Sequence, residues 1–299
     1  MKRLLLLPLL VLLSLAVPGF SPEPVALVPN RPKVPGRFRL MLREQREVQP
    51  GNKQFFLVER PVEWQASETA LIICDMWDDH YCKLSAQRIG VIVPHMNGVL
   101  SAARSHGAQI IHAPSDTMYV YAGTPYRQRM EQAKPAKAPE PLQNWCYRDP
   151  KKEPELPIDT EKCACDDPVV GLKVRRYARQ HPGLDIIGFD GVSDNGQEIY
   201  NFCKQEGIKN IAIMGVHTNM CVLGRSFGIR QLVKLGFNVV LVRDLTDTMY
   251  DPREKPHVSH TRGTELVIDH IEKYWCPTIL GEDLTRVVPG SNGLDPNAP

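Results

Sequence analysis

A segment in the second half of the chain constrains the fold more than any other. The aliphatic run from Asn210 to Met214 is typical of a buried strand in a parallel sheet, residues 215–220 predict a tight turn, and residues 222–235 predict a helix. Cys221 then lies at a helix N-terminus, where unpaired N–H groups and the helix dipole favour a thiolate. Cys221 is therefore a candidate nucleophile, and the alternative is an unreactive cysteine of the core.

The same alternation of strand and helix extends over most of the chain. It predicts a doubly wound, mostly parallel α/β sheet with helices on both faces. The expected strands lie near residues 70–75, 108–113, 184–188, 210–215 and 237–242, and the expected helices near residues 85–106, 195–206 and 222–235.

A second polar residue belongs to the same edge of the predicted sheet. The aliphatic strand that starts at Leu71 ends on Asp75. In open α/β sheets ligands bind beyond the carboxyl ends of the strands, so Asp75 and Cys221 are expected to share one site.

Two motifs at these positions resemble a known family. The sequences IICDMWD at residues 72–78 and GVHTNMCV at residues 215–222 resemble those of the isochorismatase-like family of cysteine hydrolases. The resemblance covers roughly residues 66–118 and 184–250, and it implies a three-layer α/β/α fold.

The resemblance also implies a role for each motif residue. Cys221 would attack a carbonyl-type carbon and Asp75 would shuttle the proton. The backbone N–H groups of Cys221 and His217 would hold the oxyanion, and a cis peptide would join Val216 to His217.

One expected member of the family's site is missing. Family enzymes carry a lysine after the strand that precedes the nucleophile strand, but the aligned positions here hold Phe189 and Asp190. Without a cation, a carboxylate beside the thiol raises the cysteine pKa. The helix N-terminus, His217 and Arg225 are the groups that could compensate.

Several histidine and acidic residues near the strand ends are candidates for the pocket wall. No Asp-x-His metal motif follows the second strand, so neither a metal nor another cofactor is expected; the alternative is a divalent ion among His80, His112, Asp116 and Asp79. The candidate pocket residues are His80, His112, Asp116, Asn219 and Arg225.

Composition and segment chemistry divide the chain into parts. The basic start and short apolar run of residues 1–20 are typical of a secretory signal peptide, which predicts a periplasmic or extracellular protein, with an uncleaved membrane anchor as the alternative. The other predicted parts are a β-hairpin extension at 37–64, an isochorismatase-like α/β hydrolase domain at 65–282 with an irregular insertion at about 119–183, and a disordered tail at 283–299.

The irregular insertion is expected to pack beside the pocket and restrict substrates, or else to be a solvated loop. Its best candidates for pocket contact are Trp145, Tyr147 and Arg148. In an oxidising compartment a disulfide from Cys146 to Cys163 or Cys165 would close this loop.

These observations favour one function and leave two alternatives. The favoured function is a secreted cysteine hydrolase that cleaves a small amide or related C–N substrate; the alternatives are a non-catalytic small-molecule-binding protein on the same scaffold and a nucleotide-binding domain. A formal net charge of +2, spread along the chain, argues against nucleic acid as a partner. The expected partner is a small molecule, with no stable membrane span after signal removal. The resemblance adds a possible homo-oligomer.

Overall fold

A single sheet of eight strands organises the molecule in the computed structural model, which describes residues 31–160 and 164–293. The strands are β1 (Arg37–Glu47), β2 (Phe55–Gln65), β3 (Thr69–Cys74), β4 (Gln109–Ala113), β5 (Gly191–Val192), β6 (Asn210–Val216), β7 (Asn238–Asp247) and β8 (Thr278–Ile279). Their order is β2-β1-β8-β7-β6-β3-β4-β5. β1 is antiparallel to both of its neighbours and the other pairs are parallel, so the predicted fold class is confirmed.

Helices cover both faces of this open sheet. They are α1 (Lys83–Ser105), α2 (Met118–Tyr121), α3 (Pro125–Glu131), α4 (Gly196–Glu206), α5 (Cys221–Gly224), α6 (Ile229–Lys234) and α7 (His260–Tyr274), with 3₁₀ helices at Ala66–Glu68 and Gly281–Leu284. The central strand β3 is buried along its whole length. Its side chains alternate between the faces: Leu71 and Ile73 pack in the cluster that contains α1, and Ile72 packs in the cluster that contains α4 and α7.

The strand predicted at residues 184–188 does not form. The chain instead makes a turn there, with Ile187 48% exposed and Gly188 at a φ of +60°. The Ile187 N–H donates to the Asp190 carboxylate at 3.0 Å, which closes the turn. Only Gly191 and Val192 then pair with β4.

The helix predicted at residues 222–235 is divided in two. Arg225 ends α5 in an extended conformation, with φ −60° and ψ 159°, and α6 begins only after Gly228. A Cβ atom on Gly228 would lie 2.9 Å from the Arg225 nitrogen and from the Val222 oxygen, so this tight turn requires glycine. The break turns the Arg225 side chain away from a helical path and toward the sheet edge.

The insertion and the tail are more ordered than the sequence predicted. α2 and α3 form the first part of the insertion. Thr124 caps α3, and Pro125 occupies its first position.

The tail predicted to lack order from residue 283 is packed up to residue 293. Its Val288 N–H donates to the Arg37 carbonyl at 2.7 Å, and Val287 pairs with Phe38.

The N-terminal part of the described chain is a β-hairpin. β1 and β2 form an antiparallel hairpin from Arg37 to Gln65. The predicted signal segment at 1–20 lies outside the described residues, as does the tail after residue 293. Within the described residues, no helix is both long and apolar enough to cross a membrane.

Candidate active site

The ends of two neighbouring strands bring the candidate catalytic residues together. β3 and β6 are paired in parallel up to Cys74 and Gly215, so both chains leave the sheet at one edge. Asp75 directly follows β3, and Cys221 begins α5 after the turn that follows β6. The sheet register therefore places Asp75 and Cys221 at one site.

Asp75 is fully buried and held in a fixed position. Its φ of +49° is unusual for a residue with a side chain. Oδ1 accepts a hydrogen bond from the Ser115 N–H at 2.8 Å, and Oδ2 accepts one from Arg225 Nε at 3.2 Å. Burial raises the pKa of Asp75 above its usual range, although Arg225, Cys221 and Ser115 oppose that rise.

Cys221 is 7% exposed, and its thiol interacts with the Asp75 carboxylate. Burial, reinforced by the charge of Asp75, raises the pKa of the Cys221 thiol well above its usual value, and Arg225 opposes this only in part. The lowered pKa expected from a helix N-terminus is therefore wrong. α5 has only four residues and contributes a weak dipole, so burial and the neighbouring carboxylate dominate.

Arg225 supplies a cation at the site where no lysine could be found in the sequence. Besides its bond to Asp75, its NH2 group lies 3.7 Å from the Asp116 carboxylate. Both carboxylates raise the pKa of Arg225 further despite its burial, so the guanidinium is charged. The cation comes from the segment after the cysteine, four residues along the chain, rather than from the preceding strand.

The turn between β6 and α5 has the conformation that the resemblance implied. The peptide between Val216 and His217 is cis, which confirms that prediction. The N–H of Cys221 belongs to the first turn of α5, whose N–H groups have no partner within the helix. The His217 ring is buried and its Nε2 lies 2.7 Å from Ser85 Oγ.

Comparison with known proteins identifies the domain around this site. Residues 182–271, which include β6, the turn and Cys221, match the family model of the isochorismatase domain. The match covers 90 of the 299 residues, so the likeness to the isochorismatase domain is shown for this part of the chain. Comparison with curated protein sequences gave no significant match.

Several solved structures of isochorismatase-like proteins are similar to this chain. A cysteine hydrolase from Pseudomonas syringae pv. phaseolicola 1448A is 15% identical, with 75% of this chain and 93% of that chain covered and a TM-score of 0.46. An isochorismatase-like hydrolase from Alkaliphilus metalliredigens is 12% identical, with coverage of 74% and 98% and a TM-score of 0.43.

The other predicted pocket residues divide into two groups. Asp116 lies beside Arg225, and the His80 ring packs 5.0 Å from the His217 ring, centroid to centroid. Burial lowers the pKa of His217 to about 3 and that of His80 to about 4, so both rings are neutral near pH 7.

His112 and Asn219 take part in hydrogen-bond networks around the site, and Asn219 also lines a cavity beside the nucleophile turn. His112 is fully buried on β4 and bonds Gln180 at 3.0 Å and Asp190 at 3.1 Å. Asn219 clamps the backbone of Met249 with both its amide nitrogen and its oxygen, at 3.0 Å each. Both residues thus fix the surroundings of the site.

The insertion packs against the nucleophile segment. The Cys146 N–H donates to the Gly224 carbonyl at 2.6 Å, and Trp145 forms a bridge with Arg225. The Arg225 guanidinium lies 5.7 Å from the centre of the Trp145 ring. A Cβ atom on Gly224 would lie 2.7 Å from that ring, so the close contact requires glycine.

A cavity of about 550 Å³ opens beside this contact. Trp145, Tyr147 and Arg148 line it from the insertion, and Asn219 and Met220 line it from the nucleophile turn. Cys221 and Asp75 are not among its lining residues, so contact of the insertion with the catalytic pocket stays a prediction. A second cavity, of about 420 Å³, has Arg225 and Asp116 in its wall. The insertion therefore shapes the space around the nucleophile segment.

Among the described residues, the possible metal ligands named from the sequence do not form a cluster of three or more ligand atoms. A different group, Cys82, Cys165 and Asp167, does form such a cluster. The sequence did not predict it because Cys82 and Cys165 are far apart in the chain. Cys146, the expected disulfide partner, instead accepts a hydrogen bond from Lys234 Nζ at 3.2 Å. Cys163 lies outside the described residues.

Proposed function

We propose that the protein is an exported cysteine hydrolase that cleaves the C–N bond of a small amide or related substrate, with Cys221 as nucleophile and Asp75 as acid and base. The observation that carries this proposal is the contact of one thiol, one buried carboxylate and one guanidinium at the carboxyl edge of the sheet. Export rests on the signal-like first 20 residues. A homo-oligomer is part of the proposal through the family resemblance alone.

In this proposal Asp75 accepts the proton of the Cys221 thiol while the sulfur attacks the substrate, and not before the attack. With its pKa raised, Cys221 rests as a thiol beside the Asp75 carboxylate. As Sγ bonds to the substrate carbonyl carbon, the thiol proton passes to Asp75, so a buried thiolate never stands beside a carboxylate.

The later steps use the same groups. The carbonyl electrons move to oxygen, and the N–H groups of Cys221 and His217 would hold that oxyanion. Asp75 then gives its proton to the leaving nitrogen as the C–N bond breaks, which leaves a thioester on Cys221. Asp75 takes a proton from water as the water attacks the thioester, and the proton returns to the thiol.

One observation favours the second candidate, a non-catalytic binding protein. The Cys221 thiol has a raised pKa and is only 7% exposed, so it lacks the resting thiolate of many reactive cysteines. In this alternative the protein binds a small molecule in its cavity, and Cys221 does not attack it.

Turnover by the protein and two cysteine variants tests the proposal. We expect ammonia release from a panel of small amides and carbamoyl compounds. The Cys221→Ala variant should lose at least about 10³-fold of this activity because the nucleophile is gone. The matched control is Cys203→Ala, which removes a fully buried thiol from α4 and should keep turnover.

Two results would contradict the hydrolase proposal. Activity in Cys221→Ala equal to that of the unmodified protein would remove Cys221 from the chemistry. Absence of turnover across the panel, together with a Cys221 thiol that iodoacetamide does not alkylate in the folded protein, would favour the binding protein.

A further inference from the structure

A buried group of two thiols and one carboxylate lies apart from Cys221. Cys82 immediately precedes α1, while Cys165 and Asp167 come from the insertion. The Sγ atoms of Cys82 and Cys165 and a carboxylate oxygen of Asp167 all lie within 4.8 Å of one another. Both thiols are fully buried and Asp167 is 7% exposed.

We propose that Cys82, Cys165 and Asp167 bind a zinc ion. Cys82 Sγ lies 3.5 Å from Asp167 Oδ1. A tetrahedral zinc ion, with Zn–S near 2.3 Å and Zn–O of about 2.0–2.2 Å, separates adjacent sulfur and oxygen ligands by about 3.5 Å. Cys82 Sγ and Asp167 Oδ1 thus already stand at the spacing that zinc requires, and Cys165 Sγ lies within 4.8 Å of both.

The surroundings hold the ligands in this arrangement. Asp167 accepts hydrogen bonds from the N–H groups of Lys83 and Leu84, each at 2.9 Å, which fixes its carboxylate at the start of α1. Asp166 Oδ1 also lies 3.5 Å from Cys82 Sγ, and Arg88 holds that carboxylate at 2.7 Å. Asp166, paired with Arg88, therefore lies beside the cluster on the side of Cys82 as an outer-shell group.

The ligand chemistry selects the class of metal. Two thiolates favour zinc over magnesium or calcium, which prefer oxygen ligands. Binding would release the two thiol protons as the sulfur atoms coordinate the ion. Because the ligands are buried and none belongs to the candidate catalytic group, the ion would join the insertion to α1 rather than take part in hydrolysis.

Metal content of the purified protein tests this site, with Cys82→Ser and Cys165→Ser as variants. We expect about one zinc ion per chain by elemental analysis. Either variant should lose it, whereas the control Cys203→Ser, with an equally buried thiol in α4, should retain it. If a variant does not fold, cobalt exchanged into the unmodified protein gives an independent answer through its thiolate-to-cobalt charge-transfer absorption.

Two other states of the cluster would overturn the proposal. A disulfide between Cys82 and Cys165 would appear as a crosslinked peptide and a mass lower by two hydrogens, with no zinc. Two free thiols that donate to the carboxylates would leave the protein without zinc and without cobalt absorption, and both would react with a thiol reagent after unfolding. Neither result bears on turnover by Cys221, so the site and the hydrolase proposal fail separately.

Discussion

Arg225 decides the electrostatics of the candidate site at the scale of single residues. It lies 3.2 Å from Asp75 and 3.7 Å from Asp116. Burial raises the pKa of the Asp75 carboxyl, and Arg225 reduces the size of that rise. A guanidinium gives a permanent charge with several donors, so it can hold one carboxylate while it faces a second.

Substitution of Arg225 should change the pH dependence of hydrolysis. In Arg225→Gln, Asp75 loses its cation and its pKa rises, so a larger fraction is protonated and unable to accept the thiol proton. We expect kcat/KM to fall by about 10²-fold and the acidic limb of its pH profile to move to higher pH. Arg225→Lys should restore part of the rate and move the limb back.

The control for this prediction is Arg262→Gln on the exposed side of α7, where the guanidinium pairs only with Glu265 among the described contacts. Its pH profile should match that of the unmodified protein. An Arg225→Gln profile with an unmoved acidic limb would show that Arg225 does not act through Asp75.

The residues of the site were not equally predictable from the sequence. Asp75 and Cys221 each follow an aliphatic strand, so their place at the sheet edge follows from local patterns. The role of Arg225 depends on the break in the helix after residue 224, which arises from the tight turn at Gly228 and the packing of Trp145. Those contacts are not visible in the pattern of residues 222–235.

At the scale of elements, Glu153 anchors the insertion to the helices beneath it. Its buried carboxylate accepts hydrogen bonds from Arg230 Nε of α6 at 2.7 Å and His270 Nε2 of α7 at 2.8 Å. Although burial opposes ionisation, the bonds from His270 and Arg230 lower the pKa of Glu153 to about 2. The ionised form therefore stabilises the folded state.

Replacement of Glu153 should make the protein less stable in a pH-dependent way. The difference between its pKa of 4.5 in an unfolded chain and about 2 in the fold predicts a loss of roughly 3 kcal/mol in Glu153→Gln near pH 7. This contribution is complete above about pH 4.5 and disappears as the pH falls toward 2, so the two proteins should converge in acid.

Chemical denaturation at several pH values measures this difference. The control is Glu155→Gln, because the Glu155 side chain is 80% exposed and its pairing with Arg148 contributes little to stability. A stability loss in Glu153→Gln that is the same at all pH values would contradict the electrostatic explanation.

The insertion could be located in the sequence but its structure could not be predicted. Its Pro-rich stretch has no helical or strand period, so local patterns mark only where the α/β alternation stops. What orders it are contacts distant in sequence, such as those of Cys146 with Gly224 and Glu153 with His270.

At the scale of the whole molecule, the hairpin belongs to the same core as the α/β sheet. Phe38 and Leu40 of β1 are fully buried in one cluster with Leu71 of β3 and Val93 of α1. The alternation of strands and helices predicted the central strands, whose aliphatic runs are long. The edge strands β5 and β8 have two residues each, too few for a pattern, and the place of β1 beside β8 depends on their pairing.

This shared core predicts that the hairpin and the α/β sheet unfold together. Phe38→Ala empties a fully buried position between β1 and the body of the protein, so we expect a loss of about 3–5 kcal/mol in the free energy of unfolding. Tryptophan fluorescence and far-ultraviolet circular dichroism should report the same denaturation midpoint, shifted equally by the substitution.

The matched control for Phe38→Ala is Phe56→Ala on β2, where the side chain is 49% exposed and little apolar area is lost from the core. It should shift the midpoint much less. If Phe38→Ala instead separated the two midpoints, with an early transition confined to part of the signal, β1 and β2 would unfold as an independent unit. In that case the packing of Phe38 and Leu40 on the sheet would not couple the two parts, and the contacts of β1 with β8 would be too weak to transmit stability across the molecule.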